Sequence, residues 1–179
     1  MIKKTYLLLV LLVLILSACQ SPAEEAPAPL EGEPFAIYLV GDSQITGPDL
    51  KNYDLDKIPL NAVPIITTDD LDSYDWDRHG INLTENAYLR LIAMFMGGMP
   101  SSGVPFVVQA YEQPVFAGAF WAPYSSLSFD GVVILQPVDP AGQTLYIKLG
   151  YPGESYFTGQ DPRANPRLQQ ALEDAGVLK

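Results

Sequence analysis

The sequence predicts an α+β domain with a mainly antiparallel sheet, one central helix and a C-terminal helix. Strand-like and helix-like segments follow in the order β, β, β, α, β, β, β, β, α, without the regular alternation that a doubly wound parallel sheet requires. Two strong strand patterns, Val104 to Tyr111 and Pro114 to Trp121, are separated only by Glu112-Gln113, a spacing that predicts a tight antiparallel hairpin. Two segments of helical period each carry a cap and a stop.

Taken in order, Ala36 to Val40 (A-I-Y-L-V) is an apolar, β-rich run ended by Gly41, and Val63 to Thr67 is a second whose Pro64 places it at a sheet edge. A proline- and acid-punctuated connection of about 20 residues joins them. Gly80 to Leu83 predicts a short strand. Thr84 then caps a helix from about Glu85 to Met96, with Ala87, Leu91, Met94 and Phe95 on its core face and Gly97-Gly98 stopping it. Met96 and Met99 extend that apolar end. After the hairpin come strands Gly131 to Gln136 and Thr144 to Leu149, joined by turn residues that include Asp139-Pro140 and Gly142. Asn165 and Pro166 read as the cap and first turn of a closing helix that Gly176 ends.

The domain so predicted, residues 35–179, is long enough for a single core and too short for two. What precedes it carries an address. Lys3 and Lys4 stand before an 11-residue apolar core, Tyr6 to Leu16. This is well short of the roughly 20 residues that cross a bilayer as a helix. The core ends in Leu16-Ser17-Ala18-Cys19, which resembles a bacterial lipobox. That resemblance implies a signal peptide over residues 1–18, cleavage before Cys19, a diacylglyceryl group on its thiol and a further fatty acyl chain, such as palmitate, on its new amino terminus. The expected location is the extracytoplasmic face of a cell membrane, held by lipid on Cys19. Two or three acyl chains make such an anchor persistent where one is marginal. Cys19 is the chain's only cysteine, so its lipidation leaves no thiol for a disulfide, a redox site or a cysteine nucleophile.

Residues 19–34 form the lipidated cysteine and a tether. From Gln20 to Pro34 it holds four prolines and four glutamates, and an extended polyproline path would reach roughly 46 Å. The charge is −11 for the whole chain and −13 after Lys3 and Lys4 are removed. Nine acids lie between Asp42 and Asp77, against Lys51 and Lys57 alone. A surface of this sign is repelled by anionic lipid within the Debye length of about 8 Å, a distance the tether exceeds. The same charge excludes nucleic acid as a partner.

Three constellations could carry chemistry. Gly41-Asp42-Ser43 after an apolar strand resembles the first block of the GDS (SGNH-type) esterases, which implies Ser43 as nucleophile and His79 as base. The chain departs from that pattern: Asp75 and Asp77 stand four and two residues before His79 instead of three, and the oxyanion blocks are missing. The alternative is a turn in which Asp42 and Ser43 bond local backbone. The acidic run Asp69 to Asp77 raises a calcium reading through Asp75 and Asp77, but an EF-hand loop opening at Asp75 puts Asn86 where a bidentate glutamate belongs. The alternative is a solvated acidic connection. One histidine and no free thiol disfavour zinc, and no cofactor motif is present. Third, the aromatic loop Phe120 to Tyr124, with Trp121, Tyr124, Ser125 and Ser126, and a second loop with Tyr151, Tyr156 and Phe157, predict a binding surface. The alternative there is two covers for the end of a sheet.

Residues 65–134 resemble the periplasmic head of SecD, a subunit of the bacterial protein-export machinery. The matching pieces are Thr67-Thr68-Asp69-Asp70-Leu71, Ile81 to Thr84, Gly103 to Ala110 and Val115 to Ala119. The resemblance implies a non-enzymatic α+β module that contacts polypeptide. Tyr74 to Trp76 and Gly118 to Trp121 also resemble segments of a group of bacterial lipoproteins, which implies no function. The expectation is therefore a cell-envelope lipoprotein whose domain binds a peptide or protein partner, with a small serine hydrolase or a calcium-stabilised module as alternatives.

Overall fold

A computed structural model describes residues 31–137 and 142–179. The signal, Cys19, the tether as far as Leu30 and the turn at Asp139-Pro140 lie outside the described residues. Among the described residues, eight strands and two α-helices follow in chain order: β1 (Ala36–Leu39), β2 (Ile66–Thr67), β3 (Leu71–Asp75), β4 (Gly80–Leu83), α1 (Glu85–Phe95), β5 (Val104–Ala110), β6 (Gln113–Trp121), β7 (Phe129–Leu135), β8 (Thr144–Tyr151) and α2 (Pro166–Asp174). The fold is α+β. Its strands form one mixed sheet in the order β2-β1-β5-β6-β7-β8-β4-β3, antiparallel everywhere except between β6 and β7.

The first and last strands of that order are neighbours in sequence, joined only by a 3₁₀ turn at Thr68–Asp70. Eight strands laid flat would separate the outer two by roughly 34 Å at about 4.8 Å per strand. The link from Thr67 to Leu71 reaches at most about 14 Å when fully extended. The sheet must therefore curl until its edges approach, and the Phe35 and Tyr74 rings meet across the gap at 6.4 Å. A single apolar cluster follows from this curvature. It takes Ile37, Ile66, Tyr74, Ile81, Phe106, Phe120, Ile134 and Ile147 from the eight strands in turn, with Leu91 and Phe95 of α1 and Leu168 and Leu172 of α2.

Local chemistry sets the helix ends as expected. The Thr84 hydroxyl accepts from the Ala87 N–H, and the Asn165 side chain accepts from the Arg167 N–H with Pro166 in the first turn. On α1, however, Met94 and Met96 point outward and Tyr88 takes the buried place. The hairpin turn sits one residue earlier than the spacing predicts. Gln113 pairs with Ala110 inside the ladder, so Tyr111 and Glu112 make the turn, both at positive φ (51° and 61°). Two anchors hold Tyr111 there: its N–H donates to the Glu33 carbonyl and its hydroxyl to the Asp174 carboxylate.

Three further differences concern topology. β3, Leu-Asp-Ser-Tyr-Asp, is a strand where the sequence reads as acidic connection; Ser73 and Tyr74 are both buried in it. Its outer edge is covered by Val177–Lys179: the Tyr74 N–H donates to Val177 O, and the Lys179 N–H to Tyr74 O. β7 runs parallel to β6, with Gly118 opposite Val132 and Trp121 opposite Leu135. So short a return, residues 122–128, is possible because this pairing begins only at Val132, three residues into β7. Finally, the end of the tether belongs to the domain. The Glu33 carboxylate accepts from the Thr68 N–H at 2.9 Å, and compact contacts begin at Glu31.

The outer face of the sheet is covered in two places. The connection after β1, with 3₁₀ turns at Gly47–Asn52 and Leu55–Lys57, lays Ile45, Leu50 and Ile58 over Val107. Beside it, Trp121, Phe129 and Val133 form a second cluster with Ala119.

Candidate functional site

The two aromatic segments, about 30 residues apart in sequence, meet on this outer face. Tyr151 ends β8 and donates its hydroxyl to the Pro123 carbonyl at 2.8 Å. Its ring lies 6.1 Å from Trp121, which stacks on Phe129 at 4.8 Å and 6°. The loop after β6 is tied down by Ser125, whose hydroxyl donates to Ser101 O and accepts from the Leu127 N–H. The loop after β8 folds tightly through Gly150 at φ 65°, where a Cβ would stand 2.6 Å from Gly153 O, so only glycine fits. Thr158 closes it, its N–H and hydroxyl both donating to the Asp130 carboxylate, which is thereby held below the usual carboxylate range.

Trp121 requires a correction. Expected on an exposed loop, it is the last residue of β6 and fully buried. Gly47 and Gly103 press against its ring, where a Cβ would approach to 3.1 and 2.5 Å respectively. Its Nε1–H is buried without a partner. Trp121 therefore supports the surface from below and cannot contact a partner directly. Of the other expected residues, Tyr124 (69% exposed) and Tyr156 (49%) face solvent, and Ser126 is exposed. Ser125, Tyr151 and Phe157 are half-buried.

Two clefts flank the second loop. One, of about 320 Å³, opens where β6 and β7 part, between Val115 to Ala117 on one strand and Phe129 to Val132 on the other, with Leu50, Lys51 and Phe157 at its rim. The other, of about 300 Å³, runs over Val133 and Leu135 of β7 between Tyr146, Lys148 and Tyr151 of β8, with Arg78 and Arg163 at its margin. The second contains residues the sequence reading missed. Arg78, Lys148 and Arg163 are scattered, so no local motif groups them. The one available signal was strand parity, which puts Tyr146, Lys148 and Gly150 on one face of β8.

Ser43 and His79 stand in different turns. Ser43 is exposed in a turn after β1 in which the Ile45 N–H donates to Asp42 O and the Gln44 N–H to Asp42 Oδ1. No hydrogen bond links it to His79. His79 sits at φ 49° in the β3–β4 turn, its ring 5.9 Å from Trp76 and its Nδ1 buried without a partner. Burial, then the nearby Arg163 guanidinium, hold its imidazole below the ordinary value. Arg163 itself pairs with Asp161 at 2.7 Å and donates to the Ile147 carbonyl. As for calcium, Asp75 Oδ1 accepts from the Arg78 N–H within the same turn. Among the described residues no group of three or more acidic, histidine or cysteine side chains could hold a metal ion. No described helix is long and apolar enough to cross a membrane.

Comparison of the chain with protein-family models, with curated proteins and with solved structures gives no match.

Proposed function

We propose that this chain is a bacterial cell-envelope lipoprotein, fixed through acyl groups on Cys19 to the outer side of a membrane. Its domain, with α1 as the central helix, binds a peptide or protein partner and catalyses no reaction. One observation carries the binding half of this reading. The two aromatic loops are bonded to each other through Tyr151 and Pro123 over a buried Trp121–Phe129 stack, while Tyr124 and Tyr156 remain exposed. A rigid base beneath exposed tyrosines is what a binding surface needs, because tyrosine gives large contact area at low entropic cost. The lipobox supports the anchoring half. The SecD-like pattern agrees with a polypeptide-contacting role.

The test is selection of displayed peptides against the full chain. The double variant Tyr124→Ala with Tyr156→Ala should keep the wild-type melting temperature and lose at least about tenfold in affinity for the selected peptides, the scale of removing two interface tyrosines. Undiminished affinity in that variant would sink the reading.

A further inference from the structure

We infer that the cleft over Val133 and Leu135 is an anion-binding groove, and that its occupant is an acidic peptide segment whose carboxylates meet Arg78 and Lys148. This rests on the peptide-binding reading above and specifies the partner's chemistry.

Charge is the first argument. The chain after Cys19 has eight basic side chains, and three of them, Arg78, Lys148 and Arg163, line this one cleft. The cleft lining thus carries three cations against one carboxylate, Glu154, on a chain whose net charge after Cys19 is −13, a local excess that favours an anion. Arg163 is committed to Asp161 and to the Ile147 carbonyl. Arg78 and Lys148 are different: both are exposed, and neither meets a carboxylate among the described residues. The one carboxylate in the groove's own lining, Glu154, pairs with neither of them.

The shape is the second argument. The floor is apolar, from Val133 and Leu135, and Tyr146 and Tyr151 also line it. A ligand that suits both features carries carboxylates beside apolar groups, as an acidic peptide does. An anionic lipid surface fits less well, because the acidic bulk of the domain would have to approach it as well.

The test uses the acylated full chain in phosphatidylcholine nanodiscs and fluorescence anisotropy. The probes are a fluorescein-labelled peptide of alternating glutamate and leucine and its glutamine-leucine counterpart. The acidic peptide should bind about five- to tenfold more tightly than the neutral one, as two exposed charge pairs allow, and the preference should fade as salt is added. Arg78→Gln with Lys148→Gln should abolish the preference without changing the melting temperature. Equal binding of the two peptides, or a preference that survives in the double variant, would overturn the inference. So would nanodiscs that co-sediment with phosphatidylglycerol vesicles but not with phosphatidylcholine vesicles, provided the double variant lost this behaviour, since the occupant would then be lipid. If the peptides bound equally but Tyr124→Ala with Tyr156→Ala weakened both, only the charge inference would fail. Binding of neither peptide would overturn the inference, and the selected peptides would then decide the reading it rests on.

Discussion

Replacing Trp121 by alanine should cost stability and not merely remove a contact, and the size of the loss can be worked from its surroundings. The side chain is fully buried, stacked on Phe129 and pressed by Gly47 and Gly103. A large aromatic buries about 150–250 Å², which at about 25 cal/mol per Å² corresponds to about 4–6 kcal/mol. Against this stands the unpartnered Nε1–H, whose burial costs about 1–3 kcal/mol and disappears with the ring. The two together leave a net loss of about 3 kcal/mol, at the low end of measured aromatic-to-alanine changes. For a domain of this size that is a fall in melting temperature of roughly 6–12 °C. Trp121→Phe separates the contributions, since it keeps a ring on Phe129 and removes the orphan N–H; it should stay within about 1.5 kcal/mol of wild type. Urea unfolding followed by circular dichroism measures both. A Trp121→Ala protein with the wild-type midpoint would refute the assignment of this residue to the core.

Three further outcomes are expected. His79 titrates below its unfolded value, so its contribution is fully present above about pH 6.5 and is lost as pH falls through the lower folded value. The charged groups facing it are Asp75 and Asp77 of its own turn, with Asp161 and Arg163 from the loop before α2. His79→Gln should flatten the urea midpoint between about pH 6.5 and 5, above the range where the lowered carboxylates titrate; an unchanged slope would exclude His79 as its source. Tyr111→Phe removes the hydroxyl that donates to Asp174 and tethers the β5–β6 turn to α2. Its loss should cost about 1–2 kcal/mol in urea unfolding, and the Asp174 pKa, followed by NMR, should rise toward the ordinary carboxylate value. Cys19→Ala should move the protein from the membrane fraction to the soluble one with its circular dichroism unchanged, and a variant that stayed membrane-bound would overturn the anchor.

How much of this was legible depended on how local each determinant is. The caps at Thr84 and Asn165 and the β5–β6 hairpin rest on residues close in sequence, and both could be read. The hairpin turn was misplaced by one residue because Tyr111 carries a strand-like side chain at positive φ, held by Glu33 and Asp174, which are remote in sequence. β3 escaped notice because its buried residues, Leu71, Ser73 and Tyr74, stand among aspartates without strict alternation, and its burial depends on β4 and the Val177–Lys179 segment. Trp121 ends the strand where the sequence pattern ends it, but its burial was missed because it rests on Gly47 of a 3₁₀ segment and on Gly103, which a sequence pattern cannot place over it. At the candidate site the aromatic loops could be named, but their contact through Tyr151 and Pro123 could not, nor could the grouping of Arg78 with Lys148. The first depends on the parallel β6–β7 pairing and the second on the antiparallel β4–β8 pairing, long-range choices without a local signature.

The covering of β3 by Val177–Lys179 also bears on the order in which the domain can fold. Tyr74 exchanges backbone hydrogen bonds with residues about 100 positions later, so that edge cannot be sealed until residues 177–179 are present. The earlier strands can pair among themselves as they arrive, but β3 keeps an open edge, and α2 must dock before the segment behind it can close that edge. A chain still without these residues therefore lacks its final clasp and remains easier to pull apart. The completed ladder makes the full domain the state that resists being pulled apart.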